Sequence, residues 1–287
     1  MKIISGTALS KEIKNKLATD IEALRAKFHR APKLAIVLVG DEPDSLKYVN
    51  SKAKACADIG MECELRHLPE STTQPELLKV IRQLNDDNTV DGILIQLPLP
   101  KHLDSEETIN AIDPRKDADG LHPENVGKLS DGGKGILPCT PKGIIALLRY
   151  GNIDIAGKHA VVLGRSNLVG KPIAQLLLQE NATVTICHTH TQNLANIVQQ
   201  ADILVLAMGA ANVVTPEMLK PNVVLVDVAM NWIDGKLGGD LYCEKNLCAL
   251  EKIASAATPV PGGVGPMTIT SLLENTFEIY SFGVLEH

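Results

Sequence analysis

Apolar residues recur along this chain with two alternating periods. From Ala8 to His29 they fall every three or four positions, at Leu9, Ile13, Leu17, Ile21, Leu24 and Phe28, with charged residues between them. That spacing predicts a long amphipathic helix. Leu34 to Val39 is an unbroken apolar run ending at Gly40, the signature of a strand covered on both faces. Ser45 to Ile59 has no internal Gly or Pro and stops at Gly60, predicting a helix. Met61 to Leu68 alternates as a strand, with Cys63 and Leu65 on one face, and Pro75 opens a helix carrying Leu77, Leu78, Ile81 and Leu84. Asp91 to Leu97 is the next buried strand, ended by Pro98 and Pro100, which cannot continue a ladder.

Asp113 to Lys134 breaks the alternation. It is rich in Asp, Gly and Pro, has little apolar period, and is expected as a long loop, functional or mobile. Pro141 then starts a helix through Tyr150, placed at the domain boundary. A second alternating unit follows: strand Ala160 to Gly164, helix Lys171 to Glu180, strand Thr183 to Cys187, helix Gln192 to Gln200, and strands Ile203 to Ala207 and Val223 to Val228. A last helix, Thr268 to Tyr280, comes after the glycine-rich Pro261 to Pro266. The expectation is an α/β protein of two three-layer α/β domains. The first takes residues 1–140, the second residues 141–266. Residues 285–287, Leu-Glu-His, look like a tag remnant.

Composition narrows the picture. The 287 residues are 45% hydrophobic but only 3% aromatic, so the cores are aliphatic. A net charge of −6 argues against a dedicated nucleic-acid binder. No apolar run reaches membrane-spanning length, and the N-terminus reads as an amphipathic segment and not a signal peptide. The six cysteines form no C-x-x-C and no zinc spacing, and His188-x-His190 alone is a weak metal signal, so no metal is expected. A cytoplasmic protein with reduced thiols is the expectation.

Two stretches carry candidate chemistry on their own residues. Tyr48 and Lys52 lie one helical turn apart, a phenol beside an amine that can hold a flat ring and move protons. Gln96 closes a buried strand, and Asp119 sits before Gly120 in the long loop; alone, each reads as a structural amide and a turn residue. Gly164-Arg165-Ser166-Asn167-Leu168-Val169-Gly170-Lys171-Pro172 joins a strand to a helix, the context of a phosphate-binding turn, although Ser166 replaces the middle glycine of G-x-G-x-x-G. The following strand ends in Cys187-His188-Thr189-His190-Thr191 with no acid for a ribose, and Arg165 can meet an extra phosphate. Both point to NADP over NAD.

Five stretches in order resemble the bifunctional methylenetetrahydrofolate dehydrogenase/cyclohydrolase family. They are Tyr48-Val49-Asn50-Ser51-Lys52, Asp91 to Pro100, Pro138-Cys139-Thr140-Pro141, the glycine loop, and Thr258 to Thr268. The resemblance implies oxidation of 5,10-methylenetetrahydrofolate with NADP, then hydrolysis of the methenyl cation to 10-formyltetrahydrofolate. It implies a folate domain first, to which the C-terminal helix 267–284 returns, a Rossmann-type NADP domain second, a cleft between them and a homodimer; charge and hydropathy leave neither nucleic acid nor membrane as partner. By matching positions Lys52 is the catalytic lysine, Gln96 orients it, Tyr48 stacks on the folate, and Asp119 grips the pterin's amino edge. Asp113 and Asp117 are assigned to structure. The resemblance also places folate and nicotinamide contacts at Pro261, Gly262 and Gly263, a folate contact at Leu97, and cofactor contacts at Gly164, Arg165, Ser166, Gly170, Thr189 and Met230. A lysine is a poor base near its reference value of about 10.4; a cationic methenyl group close by would lower it.

The chain departs from the family at Thr189-His190, where relatives often carry Ser and a basic residue nearby, and at Ala229-Met230, where they carry Gly and then Ile or Thr. The first weakens the expected NADP preference, because histidine supplies positive charge less fully at neutral pH. Alternatives are a dehydrogenase with weak or absent cyclohydrolase, a short-chain dehydrogenase reading of Tyr48/Lys52, and a non-catalytic nucleotide-binding protein. The glycine loop precedes the Tyr/Lys pair in short-chain dehydrogenases and follows it here. A binding module has no need of Lys52, Gln96 and Asp119 together.

Overall fold

The computed structural model describes residues 1–233 and 236–285. The strands are β1 (Lys2–Ile3), β2 (Lys33–Val39), β3 (Glu62–Leu68), β4 (Gly92–Ile95), β5 (His159–Leu163), β6 (Thr183–Cys187), β7 (Ile203–Leu206), β8 (Val224–Asp227), β9 (Asn231–Ile233), β10 (Lys236–Gly238) and β11 (Ala256–Ala257). The helices are α1 (Gly6–Phe28), α2 (Pro43–Asp58), α3 (Gln74–Asp86), α4 (Ser105–Asn110), α5 (Pro123–Ser130), α6 (Cys139–Tyr150), α7 (Gly170–Gln179), α8 (Leu194–Val198), α9 (Leu247–Ile253) and α10 (Val264–Leu285). They divide into two compact units. The first is Glu12–Leu137 with the chain from Ile269 onward; the second is Met1–Lys11 with Pro138–Thr268.

The first unit is built on a parallel sheet ordered β3-β2-β4. The apolar runs of β2 and β4 are buried on both faces, as continuous Leu/Ile/Val sequence requires. β3 lies at the sheet edge, which is why its alternation leaves Leu65 exposed. Gly92 lets α10 approach the sheet: a Cβ there would stand 3.0 Å from Ala118 Cβ and 3.1 Å from Thr276 Oγ1. The fully buried Tyr280 anchors the helix, its hydroxyl donating to the Arg30 carbonyl at 2.8 Å. The Arg30 guanidinium lies 4.6 Å from the Tyr280 ring centre and grips Asp91 with two hydrogen bonds of 2.8 and 2.7 Å.

The second unit carries an all-parallel sheet ordered β1-β11-β8-β7-β5-β6, with the antiparallel hairpin β9–β10 beside it. From β5 onward this is the doubly wound order 2-1-3-4-5, whose direction of winding reverses between β5 and β7. Its core packs Val161, Leu163, Leu204, Leu206 and Leu225 against Val198, Leu241 and Leu250.

Three expectations change. Residues 1–11 belong to the second unit, because β1 pairs with β11 at the sheet edge. Lys2 N and Ile4 N each donate at 2.8 Å, to the carbonyls of Ser255 and Ala257. A two-residue strand is too short to leave a pattern. The division falls between Leu137 and Pro138, ahead of residue 140. The stretch from Asp113 to Lys134 contains α5, capped by His122 Nδ1, which accepts from Glu124 N at 3.1 Å. That helix buries only Asn125 and Leu129, too few positions to show a period. Of the expected tag remnant, Leu285 ends α10, and Glu286 and His287 lie outside the described residues.

Candidate active site

The Tyr48/Lys52 helix is well specified locally. Glu42 opens α2 by accepting from Ser45 N at 2.6 Å, and Pro43 stands in its first turn, where a missing N–H costs nothing. Val49, Ala55 and Cys56 bury one side of the helix. Tyr48 remains 43% exposed, and Lys52 is half-buried. Lys52 Nζ donates to Gln96 Oε1 at 2.9 Å. Gln96, only 8% exposed, donates its Nε2 to the Leu97 carbonyl at 2.7 Å and its backbone N–H to Val37 at 2.8 Å. With its NH2 committed to a carbonyl, the amide has to present its oxygen to the ammonium. Strand end, amide and amine thus form one preorganised unit, next to a cis peptide bond at Leu97-Pro98.

Asp119 lies on a stapled turn. Ile93 N donates to Lys116 O at 2.7 Å and Ala118 N to Ile93 O at 3.2 Å, so the segment before Asp119 bridges onto β4. Asp117 is buried, and its carboxylate accepts from Gly120 N at 3.1 Å, His122 N at 2.8 Å and Asn125 Nδ2 at 2.9 Å. Asp113 accepts from Arg115, whose guanidinium holds that carboxyl below its ordinary range. Both acids therefore have structural work, while Asp119 is half-buried on the turn they shape. Asn275 of α10 adds two more staples, donating at 2.9 Å to both the Ala118 and Leu137 carbonyls.

In the second unit the glycine loop joins β5 to α7 at the point where the winding reverses. Gly164 has φ +123°, and a Cβ there would collide with the Ala207 carbonyl at the end of β7. A Cβ on Gly170 would collide with the Gly164 carbonyl. The two glycines exist so that strand end and helix start can touch. Ser166 fills the place of the missing middle glycine, its Oγ accepting from Val169 N at 3.2 Å and Gly170 N at 3.4 Å. Arg165 is exposed on the same loop. Thr189 is exposed in a turn that Thr191 closes by accepting from His188 N at 2.8 Å. Met230, beyond β8, is 50% exposed. A glycine loop that opens a helix at the point where the winding reverses fits a nicotinamide dinucleotide, whose pyrophosphate such a helix start receives.

Pro261 to Gly263 belong to the second unit as well. Gly262 has φ +98°, and its carbonyl accepts from Thr7 N at 3.0 Å. Gly6 packs so closely that a Cβ would collide with the Gly263 carbonyl. Sequence reasoning missed this N-terminal buttress; Gly6 at the head of a helix was its one signal. It also missed Asp227 and Asp240. An acid ending the apolar run Val223 to Val228 was the clue to the first. Burial pushes the Asp227 carboxyl up to about 6, even though it accepts three backbone N–H groups.

Two family models cover most of the chain. "Tetrahydrofolate dehydrogenase/cyclohydrolase, catalytic domain" matches residues 4–119, and "Tetrahydrofolate dehydrogenase/cyclohydrolase, NAD(P)-binding domain" matches residues 138–283. The chain belongs to the tetrahydrofolate dehydrogenase/cyclohydrolase family. It is 51% identical over 276 residues to the bifunctional protein FolD of Acetivibrio thermocellus, covering 96% of this chain and 95% of that protein. The crystal structure of the bifunctional FolD of Campylobacter jejuni superposes with a TM-score of 0.95 at 45% identity, over 98% of this chain and 99% of that one. The Trypanosoma brucei dehydrogenase–cyclohydrolase, solved with NADP and an inhibitor, gives 0.92 at 37%, over 98% of each chain. The protein is an enzyme of folate one-carbon metabolism, a methylenetetrahydrofolate dehydrogenase and methenyltetrahydrofolate cyclohydrolase with a nicotinamide dinucleotide as cofactor. Among the described residues no helix is long and apolar enough to cross a membrane.

Proposed function

We propose that Lys52 is the proton-transfer group of the cyclohydrolase step and that Gln96 holds it in place. The observation that carries this is the 2.9 Å bond from Lys52 Nζ to Gln96 Oε1, with the amide's other end tied to Leu97. In this reading Lys52 faces the one-carbon bridge of the folate and handles the proton of the water that adds to the methenyl carbon. Tyr48 offers its exposed ring as a platform, and Asp119 accepts from the pterin's amino edge. Leu97 and Pro261 to Gly263 supply further walls for the ligands.

The cofactor is NADP, held by Gly164, Arg165, Ser166, Gly170, Thr189 and Met230; when bound, its nicotinamide supplies the hydride acceptor. Two features support NADP over NAD: the turn after β6 has no acid for the ribose, and Arg165 stands exposed beside Gly164. The enzyme is a cytoplasmic homodimer acting on tetrahydrofolate derivatives, with no role for nucleic acid or membrane, an assignment carried by the family likeness; sedimentation equilibrium showing a monomer would remove the dimer.

The test is hydrolysis of supplied methenyltetrahydrofolate by wild type and Lys52→Met. The substitution keeps the stem out to Cε and removes the amine. Hydrolysis is expected to fall to the uncatalysed rate. A variant that hydrolyses at the wild-type rate assigns the proton transfer elsewhere.

A further inference from the structure

The loops that follow β7 and β8 are tied together by one buried side chain. Asp240 is 3% exposed. Its Oδ2 accepts from Met208 N at 3.0 Å and Gly209 N at 3.2 Å. Its Oδ1 accepts from Ala210 N at 2.7 Å and from Asn231 Nδ2 at 3.0 Å. Three consecutive amides converging on one point make a concavity of the kind that binds anions. Here the protein fills it with its own carboxylate, so the loop after β7 is no free phosphate site and that task falls to the glycine loop.

Asp240 is itself held. Its N–H donates to Asp227 Oδ1 at 2.9 Å, and the N–H groups of Leu241 and Tyr242 each donate to Asp227 Oδ2 at 2.8 Å. The residue before it has to be glycine, because a Cβ on Gly239 would collide with the Asp227 carboxylate. Asp227 ends β8, and its own N–H donates to Thr258 Oγ1 at 3.0 Å. A chain of fixed groups therefore runs from the end of β8, through Asp240, to the loop at 208–210 and to Asn231.

The location gives the chain its meaning. In a doubly wound sheet the dinucleotide lies across the carboxyl ends of the strands, where the winding reverses. Here that point is between β5 and β7, marked by Gly164 against Ala207. The glycine loop and the turn after β6 take the adenosine and phosphates. The nicotinamide riboside is left to the ends of β7 and β8, which are the two loops Asp240 joins.

We propose that Asp240 is a positioning residue for the nicotinamide-riboside half of the cofactor site. It sets the spacing between residues 208–210 and Met230-Asn231 without itself touching the ligand. The inference rests on the reading of the second unit as the NADP-binding unit.

The test uses the full-length enzyme with two ligands, NADPH and 2′-phospho-ADP, which keeps the adenosine, its 2′-phosphate and the diphosphate and lacks the whole nicotinamide riboside. Asp240→Asn keeps the shape but turns an NH2 toward amide donors, so it cannot accept all four bonds. The dissociation constant for NADPH is expected to rise about tenfold, with that for 2′-phospho-ADP unchanged within about twofold. KM for NADP should rise alongside, while hydrolysis of supplied methenyltetrahydrofolate holds. Asn231→Ala removes one donor and leaves the carboxylate satisfied elsewhere. It should show the same selectivity at about threefold, and it decides the matter if Asp240→Asn does not fold. A purely structural role would weaken both ligands alike; that result, or no change in either, overturns the proposal. Wild-type enzyme that binds neither ligand overturns the NADP reading itself.

Discussion

Replacing Gln96 with leucine isolates the bond on which the proton-transfer assignment rests. The backbone bond from Gln96 N to the Val37 carbonyl, 2.8 Å, is untouched, and leucine nearly matches the volume of a side chain that is already buried. Two side-chain bonds disappear, the 2.9 Å bond from Lys52 Nζ and the 2.7 Å bond to the Leu97 carbonyl. A hydrogen bond between a charged donor and a neutral acceptor is worth about 1.5–3 kcal/mol. Removed from the transition state, that loss slows the reaction by about 10- to 150-fold, at ~1.36 kcal/mol per factor of ten. The second bond affects folding more than catalysis, and its loss of about 1 kcal/mol is offset in part by burying methyl groups. The assay is decay of the near-ultraviolet absorbance of supplied methenyltetrahydrofolate, with thermal unfolding run on the same protein. The dehydrogenase should fall less, because hydride leaves carbon without help from an amine. Hydrolysis within about twofold of wild type, in a protein that unfolds at the wild-type temperature, refutes the idea that Gln96 orients Lys52.

Other expectations follow from single contacts. Gly170→Ala forces a Cβ into the Gly164 carbonyl; NADPH binding, read by fluorescence titration, should be lost while methenyltetrahydrofolate hydrolysis survives. Tyr280→Phe removes the 2.8 Å bond to the Arg30 carbonyl and should cost about 1 kcal/mol in denaturant unfolding, with both activities kept. The Asp227 carboxyl is raised to about 6 by burial, above its unfolded value of 3.8, so the folded state holds the proton more tightly. Its contribution to stability therefore declines as pH rises through the interval between those values and is level above it, a loss of up to about 3 kcal/mol. Unfolding free energies from urea for wild type and Asp227→Asn should diverge by this amount in total across that interval, and parallel curves would remove Asp227 as the cause.

The features legible in the sequence were those carried by period and by local chemistry. β2 and β4 announced themselves as unbroken apolar runs, and α2 by its lack of Gly and Pro before Gly60. Gly164 and Gly170 stood at a strand-to-helix junction, and both proved to be close-contact positions. What stayed hidden depended on partners far along the chain. β1 is a strand only because Ala256 and Ala257 lie beside it. α5 is a helix because His122, Asp117 and Asn125 cap and staple it, with two buried side chains of its own. Lys52 and Gln96 are 44 positions apart, and no spacing rule could join them; that pairing came from the family likeness, and the 2.9 Å bond stands independently of it. Asp240 left no mark, since three of its four donors lie 30 to 32 positions earlier, and in sequence it resembles any loop acid.

The most direct test of the central claim is one time course. Wild type and Lys52→Met are each mixed with 5,10-methylenetetrahydrofolate and NADP, and NADPH and the methenyl cation are followed together. The account predicts NADPH with little standing methenyl in wild type, and NADPH with methenyl accumulating in step in the variant. Identical product mixtures from the two proteins would contradict it.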